Sequence, residues 1–277
     1  MIKLILSDLD ETLLNDDGTI HPDNITAVQK FVQQGGYFVP NTGRSYKSVF
    51  GTLATLGLNR QEKQYVVSYN GGAIVEVHGD GSEKIVAQHG MSLNLAKEIF
   101  KLGQIQNDID THIYTLDTLF IHNISSADKA YMSERSVPYV EMLNDDLNFL
   151  SHEKPIMKVI FEHTDHEVLR AIDKAVNQEL ADQVLTTYSS DRYVEFNPKG
   201  SDKGSTGLEL ADLLGITHNE VAALGDSLND ASQIKAAGVG AAVANAKPEI
   251  KAIANLILDK TNNEGAVAEF INTHLEG

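Results

Sequence analysis

Ile2-Lys3-Leu4-Ile5-Leu6-Ser7-Asp8-Leu9-Asp10-Glu11-Thr12 is the stretch on which the reading of this chain turns. A short Ile/Leu-rich run of this kind reads as a buried parallel strand. In open α/β sheets, ligands bind beyond the carboxyl ends of the strands. The run therefore delivers Asp8 and Asp10 to the place where such a fold does its chemistry. Their i, i+2 spacing puts both carboxylates on one side if the chain stays extended. One can then attack while the other manages protons, as transfer through an aspartyl phosphate requires.

The segments that follow alternate between strand and helix patterns. Leu13–Ile20 reads as a short hairpin around an Asp-Gly turn. A helix starts at Asp23, with Ile25, Val28 and Val32 on one face and Gly35-Gly36 at its end. Tyr37–Pro40 is a second strand that delivers Asn41-Thr42-Gly43-Arg44, and Ser45 caps the next helix. Tyr65–Tyr69 is a third strand, ending at Asn70-Gly71-Gly72, a turn that demands positive φ. This βαβαβ order implies right-handed crossovers and a doubly wound parallel sheet.

The pattern then changes. Ala73–Val77 and Lys84–Gln88 form a hairpin, and helices near 92–106, 126–135 and 165–181 are interspersed with strand-like runs. Strands that follow one another without intervening helices predict an α+β layer. The apolar stripe Leu95, Ile99 and Leu102, with Phe100 beside it, predicts the core face of a helix in that layer. His163-Thr164-Asp165-His166 lacks a third metal ligand and reads as a solvated helix start. Alternation resumes after Tyr193–Phe196, with strands at Val221–Leu224 and Val239–Val243. The expectation is an α/β protein: a doubly wound, Rossmann-like core in two parts, residues 1–85 and 196–277, with a second, α+β domain inserted at 86–195.

Charge narrows the partners. The chain has 39 acidic and 22 basic residues, a net charge of −17, which opposes nucleic-acid backbones and anionic membranes. No 18-residue apolar span is present, and the N-terminus opens into a strand and not a basic leader. Zero Cys excludes disulfides, Cys–zinc sites and thiol nucleophiles together. A cytoplasmic location is expected; nothing in the pattern fixes an oligomeric state. An anionic substrate would need compensating positive charge at its site, from a metal, Lys or Arg.

Four polar clusters at or beside strand ends meet that need. They are Asp8/Asp10, Thr42 with Gly43, Lys203 in Gly200-Ser201-Asp202-Lys203-Gly204, and Gly225-Asp226-Ser227-Leu228-Asn229-Asp230. A hydroxyl and free backbone N–H groups at a helix start suit phosphate oxygens. A Lys at a helix N-terminus adds a mobile point charge. Asp8 and Asp226 supply hard oxygen ligands of the kind Mg²⁺ prefers. Arg44 has two readings, a substrate contact or the partner of a neighbouring carboxylate.

With these four motifs in order, and the insertion between the second and third, the chain resembles the haloacid dehalogenase superfamily phosphatases of the Cof type (subclass IIB), over essentially its whole length. The resemblance implies that the α+β domain inserted at 86–195 is a cap, that Asp8 is the nucleophile and that Asp10 is the general acid and then base. It implies that Asp226, Asp8 and the backbone carbonyl of Asp10 bind Mg²⁺. Thr42, Lys203 and Asn229 would hold phosphate, and Asp230 would orient Lys203 or a metal-bound water. Glu11 departs from the family pattern, where Gly is commoner, and Val239–Ala246 lacks a Met often found there. The implied activity is hydrolysis of a small phosphorylated metabolite, sugar phosphates first. The alternatives are a phosphomutase and a non-catalytic phospholigand-binding regulatory protein.

Overall fold

The computed structural model describes residues 1–60, 63–135, 137–152, 155–189 and 191–274. The chain divides into two compact units, Met1–Gln88 with Gly200–Gly277, and His89–Lys199. The limits lie past residues 85 and 195 because strand pairing runs on to Gln88 and Pro198. No helix among the described residues is long and apolar enough to cross a membrane.

The first unit begins with β1 (Leu4–Ser7), α1 (Pro22–Gln33), β2 (Tyr37–Pro40), α2 (Tyr46–Thr55), β3 (Gln64–Ser68), β4 (Ala73–Val77) and β5 (Glu83–Gln88). The second unit holds α3 (Leu93–Gly103), β6 (Asp110–Thr115), β7 (Leu119–His122), α4 (Ser126–Glu134), β8 (Val140–Met142), β9 (Ile156–Glu162), α5 (His166–Leu180), β10 (Val184–Ser189) and β11 (Tyr193–Pro198). The first unit resumes with α6 (Lys203–Leu213), β12 (Val221–Gly225), α7 (Ala231–Ala236), β13 (Val239–Ala242), α8 (Pro248–Lys251), β14 (Leu256–Ile257) and α9 (Ala266–His274).

In the first unit a parallel sheet runs in the order β14-β13-β12-β1-β2. Leu4, Leu6, Val39, Val221 and Ala223 pack beneath Leu210 of α6. On α1 the buried face is Asn24, Ala27, Val28 and Phe31, turned from the expected Ile25–Val28–Val32 stripe. Asn24 explains the turn: its amide donates to the Leu13 carbonyl (3.4 Å) and its oxygen accepts from the Ala268 N–H (2.8 Å).

The third strand does not extend the parallel sheet as expected. β3 pairs antiparallel with β4, and β4 with β5, in a separate small sheet. Its link to β2 is a parallel bridge at Asn41/Val67. The cause is Pro40. Tyr37 and Asn41 donate to β1, at Lys3 and Ser7, so the even-numbered residues face β3. Pro40 stands there without an N–H to give. Gln64 fills in, its carboxamide donating to Phe38 O (2.6 Å) and Tyr65 O (3.3 Å).

The second unit is a mixed sheet in the order β10-β11-β9-β6-β7-β8. Ala96, Ile99 and Phe100 of α3 and Leu169, Ile172 and Val176 of α5 belong to one buried core with Ile113, Val159 and Phe161 of the sheet. Leu95 and Leu102 pack partly buried against it, so the helical stripe is a core face. Asp165 caps α5 by accepting from the Glu167 N–H (2.8 Å), and the His163 ring accepts from the Asp165 N–H (2.9 Å). That segment is a helix start.

Asp110, at the start of β6, is 1% exposed. Its Oδ2 accepts from the Ser125 N–H (2.7 Å). Burial pushes its carboxyl up from 3.8 to about 7, against those hydrogen bonds. A raised carboxyl binds its proton more tightly folded than unfolded. The stability it contributes is complete below 3.8 and is lost as pH rises through about 7. Asp110→Asn keeps an oxygen for Ser125 and removes the titration. It should stabilise the protein at pH 8 by roughly 4 kcal/mol, with little gain at pH 4. Unfolding measured across this range checks it; parallel curves for both proteins would refute it.

Candidate active site

β1 and β12 lie side by side, with Ser7 opposite Leu224 and every residue of both strands buried. Their carboxyl ends therefore release Asp8 and Asp226 as neighbours, and the Asp8 N–H donates to Leu224 O (3.0 Å). Thr12 returns to donate to Asp226 Oδ1 (2.9 Å), and the Ser227 hydroxyl donates to Oδ2 (2.9 Å). Each Asp226 oxygen keeps acceptor capacity beyond that single bond.

Lys203 opens α6, whose N-cap Asp202 accepts from the Gly204 and Ser205 N–H groups (2.8 Å each). A Cβ at Gly204 would lie 2.5 Å from the Ser232 carbonyl oxygen, so only Gly lets this helix start meet α7. Lys203 is fully buried there. Its Nζ donates to Asp8 Oδ1 (2.5 Å) and to Asp230 Oδ1 (2.7 Å).

Asp230 is saturated. Oδ1 also accepts from Gln233 Nε2 (2.8 Å), and Oδ2 accepts from the Asp226 and Ser227 N–H groups (3.0 Å each). A carboxylate offers about four acceptor positions, and all are filled here. Asp230 thus holds Lys203 and has none left for a metal, although its oxygen lies within 4.8 Å of ligand atoms of Asp8 and Asp226.

Three buried carboxylates against one ammonium leave two negative charges in excess. Burial, helped by Asp230 and Asp226, pushes Asp8 well above the usual carboxylate range against the pull of Lys203. Burial, then Asp230, pushes Asp226 up to about 6. Burial works against the Lys203 charge, but Asp230 and Asp8 outweigh it and hold the ammonium above its ordinary range. Hard oxygen donors with spare lone pairs and an uncompensated double charge fit a divalent cation.

Thr42 follows β2 and is 1% exposed, its N–H donating to Val67 O (2.9 Å) and its hydroxyl accepting from the Arg44 N–H (3.1 Å). The turn after β3 takes the positive φ expected of it, 55° at Tyr69, 56° at Asn70 and 99° at Gly71. At Gly71 a Cβ would also lie 2.4 Å from the Asp202 carbonyl oxygen. Sequence reasoning stops at the turn and misses where it leads. Asn70 donates its N–H to Thr42 O (3.0 Å), lies beside Gly43, and accepts at Oδ1 from Asn229 Nδ2 (3.2 Å). Thr12 and Ser227, which steady Asp226, are missed too; small hydroxyls beside acidic motifs are the signal that could have marked them.

Asp10 does not join the Asp8–Lys203 cluster. The chain does not stay extended past Ser7: the N–H groups of Leu13 and Leu14 turn back to Leu9 O (3.0 and 2.8 Å), and Glu11 sits at φ 57°. The Asp10 side chain, 58% exposed, is gripped at both oxygens by Arg44, through Nε at 2.9 Å and through an Nη. Of the two readings of Arg44, the structure shows the carboxylate pair. Such an exposed pair contributes little, so Arg44→Ala should change unfolding free energy by less than about 1 kcal/mol; a larger loss in denaturant titration would contradict that. Ser45 stands at the N-cap of α2 but makes no side-chain cap bond, and its Oγ accepts from Tyr69 Oη (2.9 Å).

The sequence profile of the haloacid dehalogenase-like hydrolases matches residues 5–271. The chain is 30% identical to the 5-amino-6-(5-phospho-D-ribitylamino)uracil phosphatase YcsE of Bacillus subtilis (strain 168), over 98% of this chain and 94% of that one. It is 29% identical to phosphatase YwpJ of the same organism, over 98% and 99%. Among solved structures it resembles a haloacid dehalogenase-like hydrolase from Bacteroides thetaiotaomicron, with a TM-score of 0.81 at 26% identity over 98% of this chain and 99% of that one. It shares the fold of the subclass IIB sugar phosphatase BT4131, with a TM-score of 0.80 at 17% identity over 98% of each chain. Profile, relatives and fold agree over almost the full length, and the chain belongs to the haloacid dehalogenase-like hydrolase family.

Proposed function

We propose that this chain is a Mg²⁺-dependent phosphatase that hydrolyses small phosphorylated metabolites, sugar and polyol phosphates first, through an aspartyl phosphate on Asp8. The observation that carries the reading is the buried Asp8–Lys203–Asp230 chain at the carboxyl end of the parallel sheet. A carboxylate paired with a fully buried ammonium, beside a second carboxylate with free lone pairs, is a nucleophile with charge compensation at hand.

An Asp8 oxygen attacks phosphorus in line, and the bond from phosphorus to the leaving oxygen breaks. Asp10, turned from Arg44 and protonated, gives its proton to that oxygen, releasing an alcohol. Asp10 then takes a proton from water, whose oxygen attacks phosphorus and frees phosphate and Asp8. Lys203, Thr42, Gly43 and Asn229 hold the phosphoryl oxygens, and Asp230 keeps Lys203 aimed. Asp8, Asp226 and the backbone carbonyl of Asp10 would hold Mg²⁺, which when bound supplies positive charge against the phosphoryl oxygens. In this reading His89–Lys199 is the cap and selects the leaving group.

A polyol leaving group is supported by YcsE, named for a substrate with phosphate on a ribityl chain. Phosphate release from a panel of sugar, polyol, nucleotide and pyridoxal phosphates, with Mg²⁺ and with EDTA, tests the reading. Metal-dependent release, fastest on sugar or polyol phosphates, is expected. No release from any of them by a folded protein would overturn it, and redistribution of phosphate without release would indicate a mutase.

A further inference from the structure

Asn41 and Gln233 are fully buried polar side chains that the reaction above does not use. Asn41 stands between β2 and Thr42, and Gln233 lies in α7. Asn41 Nδ2 donates to the backbone carbonyl of Lys203 (2.8 Å) and to Gln233 Oε1 (2.9 Å). Gln233 Nε2 donates to Asp230 Oδ1 (2.8 Å), the same oxygen that accepts from Lys203 Nζ (2.7 Å). These bonds close a ring. Lys203 is held at its carbonyl by Asn41 and at its ammonium by Asp230, and Gln233 joins the two holders. Gln233 Nε2 also reaches Leu224 O (3.2 Å), which ties the ring to the carboxyl end of β12.

The orientation of Asn41 is forced, because the Lys203 carbonyl and Gln233 Oε1 both need a donor. Its own Oδ1 is then turned to a place where no donor among the described residues reaches, and it is a buried oxygen without a partner among them. An apolar residue at position 41 would leave no such orphan. The bonds to Lys203 and Gln233 are what the position gains against that cost. They act on a backbone and a carboxylate that lie one step from the phosphoryl site.

We propose that Asn41 and Gln233 are positioning residues that fix Lys203 and Asp230 in register with the phosphoryl group. The proposal rests on the role given to Lys203 above. Neither residue touches the substrate; together they set where the ammonium sits when phosphate arrives, as outer partners orient the ligands of a metal site.

Calorimetric titration of inorganic phosphate, with Mg²⁺ present throughout, tests it on wild type, Asn41→Ala, Gln233→Met, the double variant and Lys203→Met. Each single variant should weaken phosphate by roughly tenfold or more with unchanged stoichiometry. The double variant should bind no more weakly than the worse single, since one break already opens the ring. Wild-type affinity in both singles, with binding lost in Lys203→Met, would overturn the proposal and leave Lys203 in its role; a lower melting temperature alone would not rescue it. Unchanged binding in Lys203→Met, or none in wild type, would overturn the reading of the site and the proposal with it. If Gln233→Met does not fold, Asn41→Ala carries the same outcomes.

Discussion

Asp8→Asn should lower kcat by roughly 10⁴- to 10⁶-fold and leave the protein folded. An amide oxygen is a poor nucleophile and cannot yield the acyl phosphate, so the loss belongs to the chemical step. The fold should tolerate the change because the Asp8 charge is itself an unfavourable one. Burial and the nearby Asp230 and Asp226 hold its carboxyl well above the usual range. Lys203 keeps Asp230 as a partner at 2.7 Å. Turnover on a substrate from the panel, beside thermal unfolding of the same preparation, separates the two effects. Full activity in the variant would end the mechanism; an unfolded variant would contradict the electrostatic argument.

Asp230→Ala should do the reverse and strike the fold first. Asp230 accepts from Lys203, Gln233, and the Asp226 and Ser227 N–H groups, all at 2.7 to 3.0 Å. Alanine takes this acceptor from the Asp226 and Ser227 N–H groups, and leaves Gln233 Nε2 with the longer bond to Leu224 O (3.2 Å) and Lys203 with Asp8 as its remaining carboxylate. Breaking a buried pair by removing one partner costs about 3–5 kcal/mol, against a total stability of roughly 5–15 kcal/mol for a protein. Urea titration and hydrogen exchange of the β12 amides would show it. A loss below about 1 kcal/mol would mean that the carboxylate is exchangeable and Lys203 is held by other means.

Much of the first unit was legible because strand and motif adjoin. Leu4–Ser7 and Val221–Gly225 are apolar runs that end in acid, and a parallel pair must then place Asp8 beside Asp226. Lys203 was legible because its neighbours spell a helix start. What failed was local geometry that pattern does not encode. The spacing of Asp8 and Asp10 predicts a shared face only for an extended chain, and the turn at Leu9–Glu11 ends that extension. Glu11, the residue that departs from the family's usual Gly, is in the left-handed region at φ 57°, where Gly fits without strain. Pro40 was visible, but its effect on the third strand depends on which side of β2 its missing N–H would face. Asn41 and Gln233 carried no sequence signal of their role, and Asn70 none beyond its turn, because contacts such as Asn41–Gln233 join positions far apart in the chain.

The measurement closest to the central claim is a rapid acid quench during turnover of the best panel substrate, followed by mass analysis of the peptide that contains Asp8. The expected result is a hydroxylamine-labile phosphoryl group on Asp8, present in wild type, accumulating in Asp10→Asn and absent from Asp8→Asn. A phosphoryl group on another residue, or none in wild type or Asp10→Asn while phosphate is released, would contradict Asp8 as the nucleophile.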